Sequence, residues 1–241
     1  MAIMYPDAKR LWEARLRGTS FAKTLTVARL SLYLHPAEVS FFHRAYRSAF
    51  PHAAESPLDN FCFGEDTDRF LRTFLGAESV STMDYSTYEG ADIVHDLNEP
   101  IPEELRGRFD AVIECGSLEH IFNFPTAIGN LMKTVKVGGA IFISVPANNL
   151  CGHGFYQFSP ELMFRVFAPE NGFELKRVVL VPGVFPGMEL THNPRAYQVA
   201  DPKSLGSRVG LLSKQPAVMQ VEATKIAEVP LFASAPLQSD Y

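Results

Sequence analysis

The segment Asn148-Asn149-Leu150-Cys151-Gly152-His153-Gly154-Phe155-Tyr156-Gln157-Phe158-Ser159-Pro160 gathers the side chains best suited to proton transfer. An imidazole in a loop titrates near neutrality, so His153 is able to take a proton from a hydroxyl and is the first candidate base. Asn149, Tyr156 and Gln157 supply polar groups that would hold an acceptor beside aromatic rings. The competing reading is that His153 and Gln157 hydrogen-bond loop backbone. On either reading Ser159, with Pro160 behind it, caps a helix. His120, in Ser117-Leu118-Glu119-His120, is the second candidate base. His192 lies in a Pro- and Gly-rich stretch, 182–216, that reads as a lid over an acceptor and adds His192 to the substrate-binding candidates. His95 reads as structural.

A second constellation is acidic. Asp84 closes the run 79–83 and Asp96 follows the run 91–94. An acid at a strand end accepts both hydroxyls of a ribose, and Asp84 lies 20 residues after Gly64, the spacing that dinucleotide and nucleoside sites use. An acid after the next strand accepts from an adenine amino group while the following N–H, that of Leu97, donates to the ring. Singly each acid is an ordinary turn or cap residue; at consecutive strand ends they make a nucleoside pocket. No His/Cys/Asp group shows metal-ligand spacing, and no serine nucleophile elbow occurs, so no metal is expected.

Such residues need a scaffold to bring them together. From about Leu58 short apolar runs alternate with helical stretches: strands at Asn60–Phe63, Ser79–Met83, Ala91–Val94, Asp110–Glu114 and Ala140–Val145, helices at Arg69–Leu75, Pro125–Val135 and Pro160–Phe167. Strands at Phe173–Val181 and Ala217–Lys225 follow. This alternation predicts a doubly wound α/β sheet whose ligands bind beyond the carboxyl ends of the strands. Ahead of it, Leu11, Trp12, Leu16, then Phe21, Leu25, Ala28, Leu32, and Phe42, Ala45, Tyr46, Ala49 recur at helical spacing and predict an N-terminal helical cap over 1–57. The sheet domain spans 58–229 and a tail 230–241.

Composition bounds the classes. The chain has 241 residues, 46% hydrophobic and 20% charged, with net charge −5. This balance excludes disorder for the bulk of the chain and argues against nucleic acid as a partner. Positive charge concentrates in 1–57, where it reads as a solvated helix face, or as a segment that docks on the acidic remainder or meets an anionic ligand. Three cysteines without paired spacing fit buried thiols in a reducing cytoplasm, and neither a secretory segment nor a membrane span is expected.

Two runs then carry a resemblance. Phe109-Asp110-Ala111-Val112-Ile113-Glu114-Cys115-Gly116-Ser117-Leu118-Glu119-His120-Ile121 resembles the fourth-strand motif of class I S-adenosylmethionine-dependent methyltransferases. Lys136-Val137-Gly138-Gly139-Ala140-Ile141-Phe142-Ile143-Ser144-Val145-Pro146 resembles that family's entry into strand five. The resemblance, over about 58–181, implies a seven-stranded Rossmann-like sheet with an antiparallel edge strand, and S-adenosyl-L-methionine as cofactor. It implies cofactor contacts from Gly64, Glu65, Asp84, Asp96, Leu97, Cys115 and Gly116. The family's first loop is rich in glycine, whereas Phe63-Gly64-Glu65-Asp66-Thr67-Asp68 has one, so Glu65 or Asp66 would face the cofactor's ammonium. The implied activity is O-methylation of a small-molecule or glycan hydroxyl, including the fucose 2-hydroxyl of nodulation-factor-type lipo-chitooligosaccharides. The alternatives are a non-catalytic methyltransferase-like module, and a nicotinamide-dependent enzyme, disfavoured because Gly-x-Gly-x-x-Gly is absent.

Overall fold

The computed structural model describes residues 2–53, 58–183, 195–208, 210 and 213–239. In chain order these form β1 (Ala2–Met4), α1 (Tyr5–Leu16), β2 (Lys23–Val27), β3 (Ser31–Tyr33), α2 (Pro36–Ala49), β4 (Glu65–Asp66), β5 (Ser79–Asp84), β6 (Ile93–Val94) and β7 (Phe109–Cys115). They continue with α3 (Phe124–Thr134), β8 (Val135–Asn148), α4 (Pro160–Val166), β9 (Phe173–Pro182), β10 (Tyr197–Gln198), α5 (Pro202–Leu205) and β11 (Ala217–Lys225).

The main sheet runs β6-β5-β2-β7-β8-β11-β9-β10. From β6 to β8 every pairing is parallel, while β11 is antiparallel to both β8 and β9. The chain leaves β2 for β5 and β6 on one side, then returns to β7 on the other. The strand order therefore reverses between β2 and β7, the place where doubly wound sheets open a crevice for ligands.

Three expectations change. The sheet has eight strands, not seven; β11 is an internal antiparallel strand, and the short β10, antiparallel to β9, is the antiparallel edge strand. The first strand of the main sheet is Lys23–Val27 rather than Asn60–Phe63, where Asn60 takes a left-handed φ of 59° and Cys62 and Phe63 are exposed. Residues 2–53 are consequently not a helical cap alone, because β2 lies in the middle of the sheet. Its alternating threonines hid it: Thr24 Oγ1 donates to the Phe21 carbonyl at 2.7 Å and Thr26 meets Thr82 at 3.2 Å, so both polar side chains are buried yet partnered.

Each face of the sheet buries its own core. On one, Leu25, Val112, Ile141 and Ile143 pack with Ile128 and Leu131 of α3 and Met163 of α4. On the other, Ala111, Ile113 and Phe142 pack with Leu11 and Trp12 of α1, Phe42 of α2, and Phe70 and Phe74 of a wide helical turn at 70–74. The α1 helix forms because Tyr5, Ala8, Leu11 and Trp12 recur at three-to-four spacing behind Pro6, and the Asp7 carboxylate accepts the Met4 N–H at 3.3 Å. Burying these apolar side chains supplies roughly 25 cal/mol per Å² removed from water.

Charge ties α1 to the antiparallel strands. Gln220 donates to Asp7 at 2.6 Å, Arg17 pairs with Glu222 at 2.8 Å, and Arg177 with Glu13 at 3.2 Å. The basic Arg17 thus docks on the body, one of the three sequence readings. Of the thiols, all free, Cys115 is buried whereas Cys62 and Cys151 are exposed, which corrects the expectation of three buried ones.

Candidate functional site

The carboxyl ends of β2, β5, β6, β7 and β8 deliver most of the sequence candidates to one rim. Asp84 ends β5, and its Oδ1 accepts the Tyr85 N–H at 2.6 Å. Beside it, across the β5–β6 pairing, Asp96 Oδ1 accepts the Asn98 backbone N–H at 2.9 Å and the Asn98 side chain at 2.8 Å. These hydrogen bonds hold the Asp96 carboxyl below its usual range. Each acid therefore commits one oxygen to its turn, and neither Asp84 Oδ2 nor Asp96 Oδ2 is hydrogen-bonded among the described residues. Leu97 is buried behind them. Cys115 ends β7, and Gly116 follows at a φ of 91°.

Gly64 and Glu65 arrive differently from expectation. They follow no strand of the main sheet. Glu65 opens β4, which pairs with β3 in a small three-stranded sheet beyond the end of β2. Its carboxylate pairs with Arg69 at 3.0 Å and accepts the Cys62 N–H at 3.0 Å. The loop that actually follows the first strand is Ala28-Arg29-Leu30, with Ala28 at a left-handed φ of 63°. Arg29 reaches Asp66 at 2.7 Å and the Glu89 carbonyl at 3.2 Å, so an arginine bridge stands where the resemblance implied glycines.

At the ends of β7 and β8 a denser cluster forms. The loop 150–158 lies against the single turn 118–120: Phe155 N–H donates to the Glu119 carbonyl at 2.7 Å and the Tyr156 hydroxyl to the Phe122 carbonyl at 2.6 Å. Gln157 Oε1 accepts the Leu150 N–H at 2.8 Å, and Asn149 Nδ2 donates to the carbonyls of Ser213 at 2.7 Å and Gln215 at 3.0 Å. Asn149, Tyr156 and Gln157 thus tie the loop down, as the backbone-bonding alternative held for Gln157. Ser159 caps α4 as expected, accepting from Leu162 at 3.4 Å.

The clamp brings both candidate histidines together. His153 Nε2 lies 3.3 Å from Glu119 Oε1, and the His153 and His120 rings meet edge to face with centroids 4.9 Å apart. Burial, with His153 adding to it, holds the His120 imidazole below its ordinary value. Gly154 makes the approach possible: a Cβ there would stand 2.7 Å from the Glu119 carbonyl oxygen, and its φ is 71°.

Two buried acids escaped the sequence reading. Glu114, within β7, is fully buried; its Oε1 accepts the N–H groups of Ser117 and, at 3.1 Å, Leu118. Burial and the nearby Glu119 push its carboxyl up to about 8. Glu119 is 1% exposed, and burial raises it to about 7. Glu114, directly after the apolar run Ala111-Val112-Ile113, and Glu119 five positions later were the available signal. One ligand atom each of Glu119, His120 and His153 lie within 4.8 Å of one another, a grouping that spacing along the sequence does not show. His192 lies outside the described residues, as do residues 184–194 of the stretch read as a lid.

No protein-family model matches the chain, and no curated protein matches it in sequence. Solved structures do resemble it in shape. The trans-methyltransferase CalH, solved with S-adenosylhomocysteine, shares 12% identity over 90% of this chain at a TM-score of 0.46. The branched-chain polyamine synthase of Thermus thermophilus, solved with 5'-methylthioadenosine, shares 15% over 98% at 0.41. The chain spans 55% and 60% of the length of these two proteins. The Burkholderia thailandensis 1,6-didemethyltoxoflavin-N1-methyltransferase, with S-adenosylhomocysteine bound, shares 13% over 92% of this chain and 78% of its own at 0.43. These are likenesses of form between distant sequences, and function has to be argued from the residues of this chain.

Proposed function

We propose that the protein is an S-adenosylmethionine-dependent methyltransferase. The observation that carries this reading is the pair Asp84 and Asp96, set on adjoining strand ends beside the order reversal, each with one oxygen outside any hydrogen bond among the described residues. They fit a nucleoside: Asp84 would accept the ribose hydroxyls and Asp96 the adenine amino group, with Leu97, Cys115 and Gly116 against the base. Arg29, rather than a glycine loop, would stand beside the methionine moiety. Once bound, the cofactor supplies a methyl group on a sulfonium centre.

The chain's own part is to hold an acceptor at the Glu119–His120–His153 cluster and to free its hydroxyl of a proton, with Phe122 and Phe155 exposed at the rim beside it. An aromatic rim next to two imidazoles suits a small-molecule or glycan hydroxyl; a fucosyl hydroxyl on a lipo-chitooligosaccharide is the narrower case. Calorimetry with S-adenosylhomocysteine tests the cofactor. Saturable binding that weakens in Asp84→Asn is expected; no heat at millimolar ligand overturns the reading in favour of a non-catalytic module. Mass spectrometry for a 14 Da gain on extracted metabolites or glycans, incubated with protein and labelled cofactor, identifies the acceptor.

A further inference from the structure

Nearly the whole Glu119 side chain is buried, yet its Oε2 has no hydrogen-bond partner. A buried carboxylate oxygen left so is costly unless something else satisfies it. Behind it Glu114 Oε2 is buried and unpartnered too. Two imidazoles stand beside it, with ligand atoms of Glu119, His120 and His153 grouped within 4.8 Å. The clamp that groups them is specific: it depends on Gly154 lying against the Glu119 carbonyl, and on the Phe155 and Tyr156 bonds to the turn and its flank.

We propose that Glu119, His120 and His153 bind a divalent transition-metal cation. Two imidazoles and a carboxylate are the donor set of manganese, iron, cobalt and zinc ions rather than of magnesium or calcium, which prefer all-oxygen cages. Three protein ligands leave coordination positions open for oxygen atoms of an acceptor. Metal–nitrogen bonds of about 2.1 Å put neighbouring ligand atoms roughly 3–4 Å apart, so the cluster has to tighten by about 1 Å, a movement within reach of side-chain rotation. The cation would answer the unpartnered Glu119 oxygen and lower the pKa of a coordinated hydroxyl. His153 then serves as a ligand, and the proton of the coordinated hydroxyl leaves to water.

This deepens the methyltransferase reading for the same site, but its test stands apart. Metal-stripped protein is titrated with Mn2+, following free Mn2+ by electron paramagnetic resonance, and with Co2+, following visible absorption. Wild type, Glu119→Gln and His120→Ala are compared, with Asp84→Asn as a variant outside the cluster. One bound ion per chain in wild type and in Asp84→Asn, with affinity at least about tenfold weaker in both cluster variants, is the expected result. Melting curves and S-adenosylhomocysteine calorimetry on the same samples show whether the cluster variants remain folded. Absence of Mn2+ and Co2+ binding to folded wild type overturns the proposal, as does binding by folded cluster variants at wild-type strength. Metal binding without any cofactor binding would overturn the methyltransferase reading and leave the metal site standing.

Discussion

At the scale of single residues, what a side chain does here is decided by which of its atoms are already engaged. Asp84 gives Oδ1 to its own turn and keeps Oδ2 outside any protein hydrogen bond among the described residues. Charge-assisted hydrogen bonds contribute about 1.5–3 kcal/mol, so Asp84→Asn should weaken S-adenosylhomocysteine binding by roughly tenfold to a hundredfold with little change in melting temperature. Calorimetry beside thermal melts separates the two effects. Gly154 is engaged through its lack of a side chain. Gly154→Ala places a carbon 2.7 Å from a backbone oxygen at a left-handed φ, which should cost about 1–3 kcal/mol and part the 150–158 loop from the 118–120 turn. Denaturant unfolding reads the cost, and loss of protection at the Phe155 amide in hydrogen exchange reads the parting. Asp110 shows the same principle for charge. Burial raises its carboxyl, but Lys136, the Lys23 N–H at 3.0 Å and the Ser20 hydroxyl at 3.2 Å outweigh burial and leave it below its ordinary value. A lowered native pKa means the native state binds that proton less readily than the unfolded chain. Its stabilisation is therefore complete above about pH 4 and is lost as pH falls through the lowered value. Asp110→Asn should remove that part of the acid dependence, measured as unfolding free energy from pH 2 to 5.

At the scale of elements, the sequence revealed those whose apolar pattern is unbroken. Asp110–Glu114, Ala140–Val145 and Ala217–Lys225 read as strands because β7, β8 and β11 are covered on both faces, and Pro125 and Pro160 marked two helix starts. The order of β5, β6, β7 and β8 followed, and with it Asp84, Asp96 and the histidine loop. What was lost is β2, where threonines satisfied within the fold interrupt the apolar run and Leu25, Ala28 and Leu32 mimic helical spacing. That miss displaced the first loop from Ala28-Arg29 to Gly64-Glu65. The Glu119–His120–His153 cluster was invisible for another reason: Glu119 and His153 are 34 positions apart, and only the clamp between two loops brings them to 3.3 Å. The helix α1 is the element most open to a direct test. Trp12 is 3% exposed and lies 4.4 Å from the Phe74 ring, so Trp12→Ala should cost about 3–5 kcal/mol in equilibrium unfolding.

At the scale of the whole molecule, the sheet is organised around a strand that the chain makes early, and the helix before it is fastened to strands made late. The ties Asp7–Gln220, Glu13–Arg177 and Arg17–Glu222 join residues 213, 164 and 205 positions apart. Contacts of such separation must be reached against the entropy of closing long loops, which slows folding. Arg177→Ala and Glu222→Ala together should speed unfolding more than they slow refolding, because ties of this separation form late; stopped-flow kinetics in denaturant measures both limbs. The consequence reaches the chain while it is still being made. Tyr5, Leu11 and Trp12 are translated some 200 residues before β11, whose Gln220 and Glu222 anchor their helix. At about 5–20 residues per second that leaves an apolar helix face incompletely secured for roughly ten seconds or more on the ribosome. A nascent chain with this architecture is a client for holdase protection during synthesis, and its yield should depend on how quickly β11 is delivered.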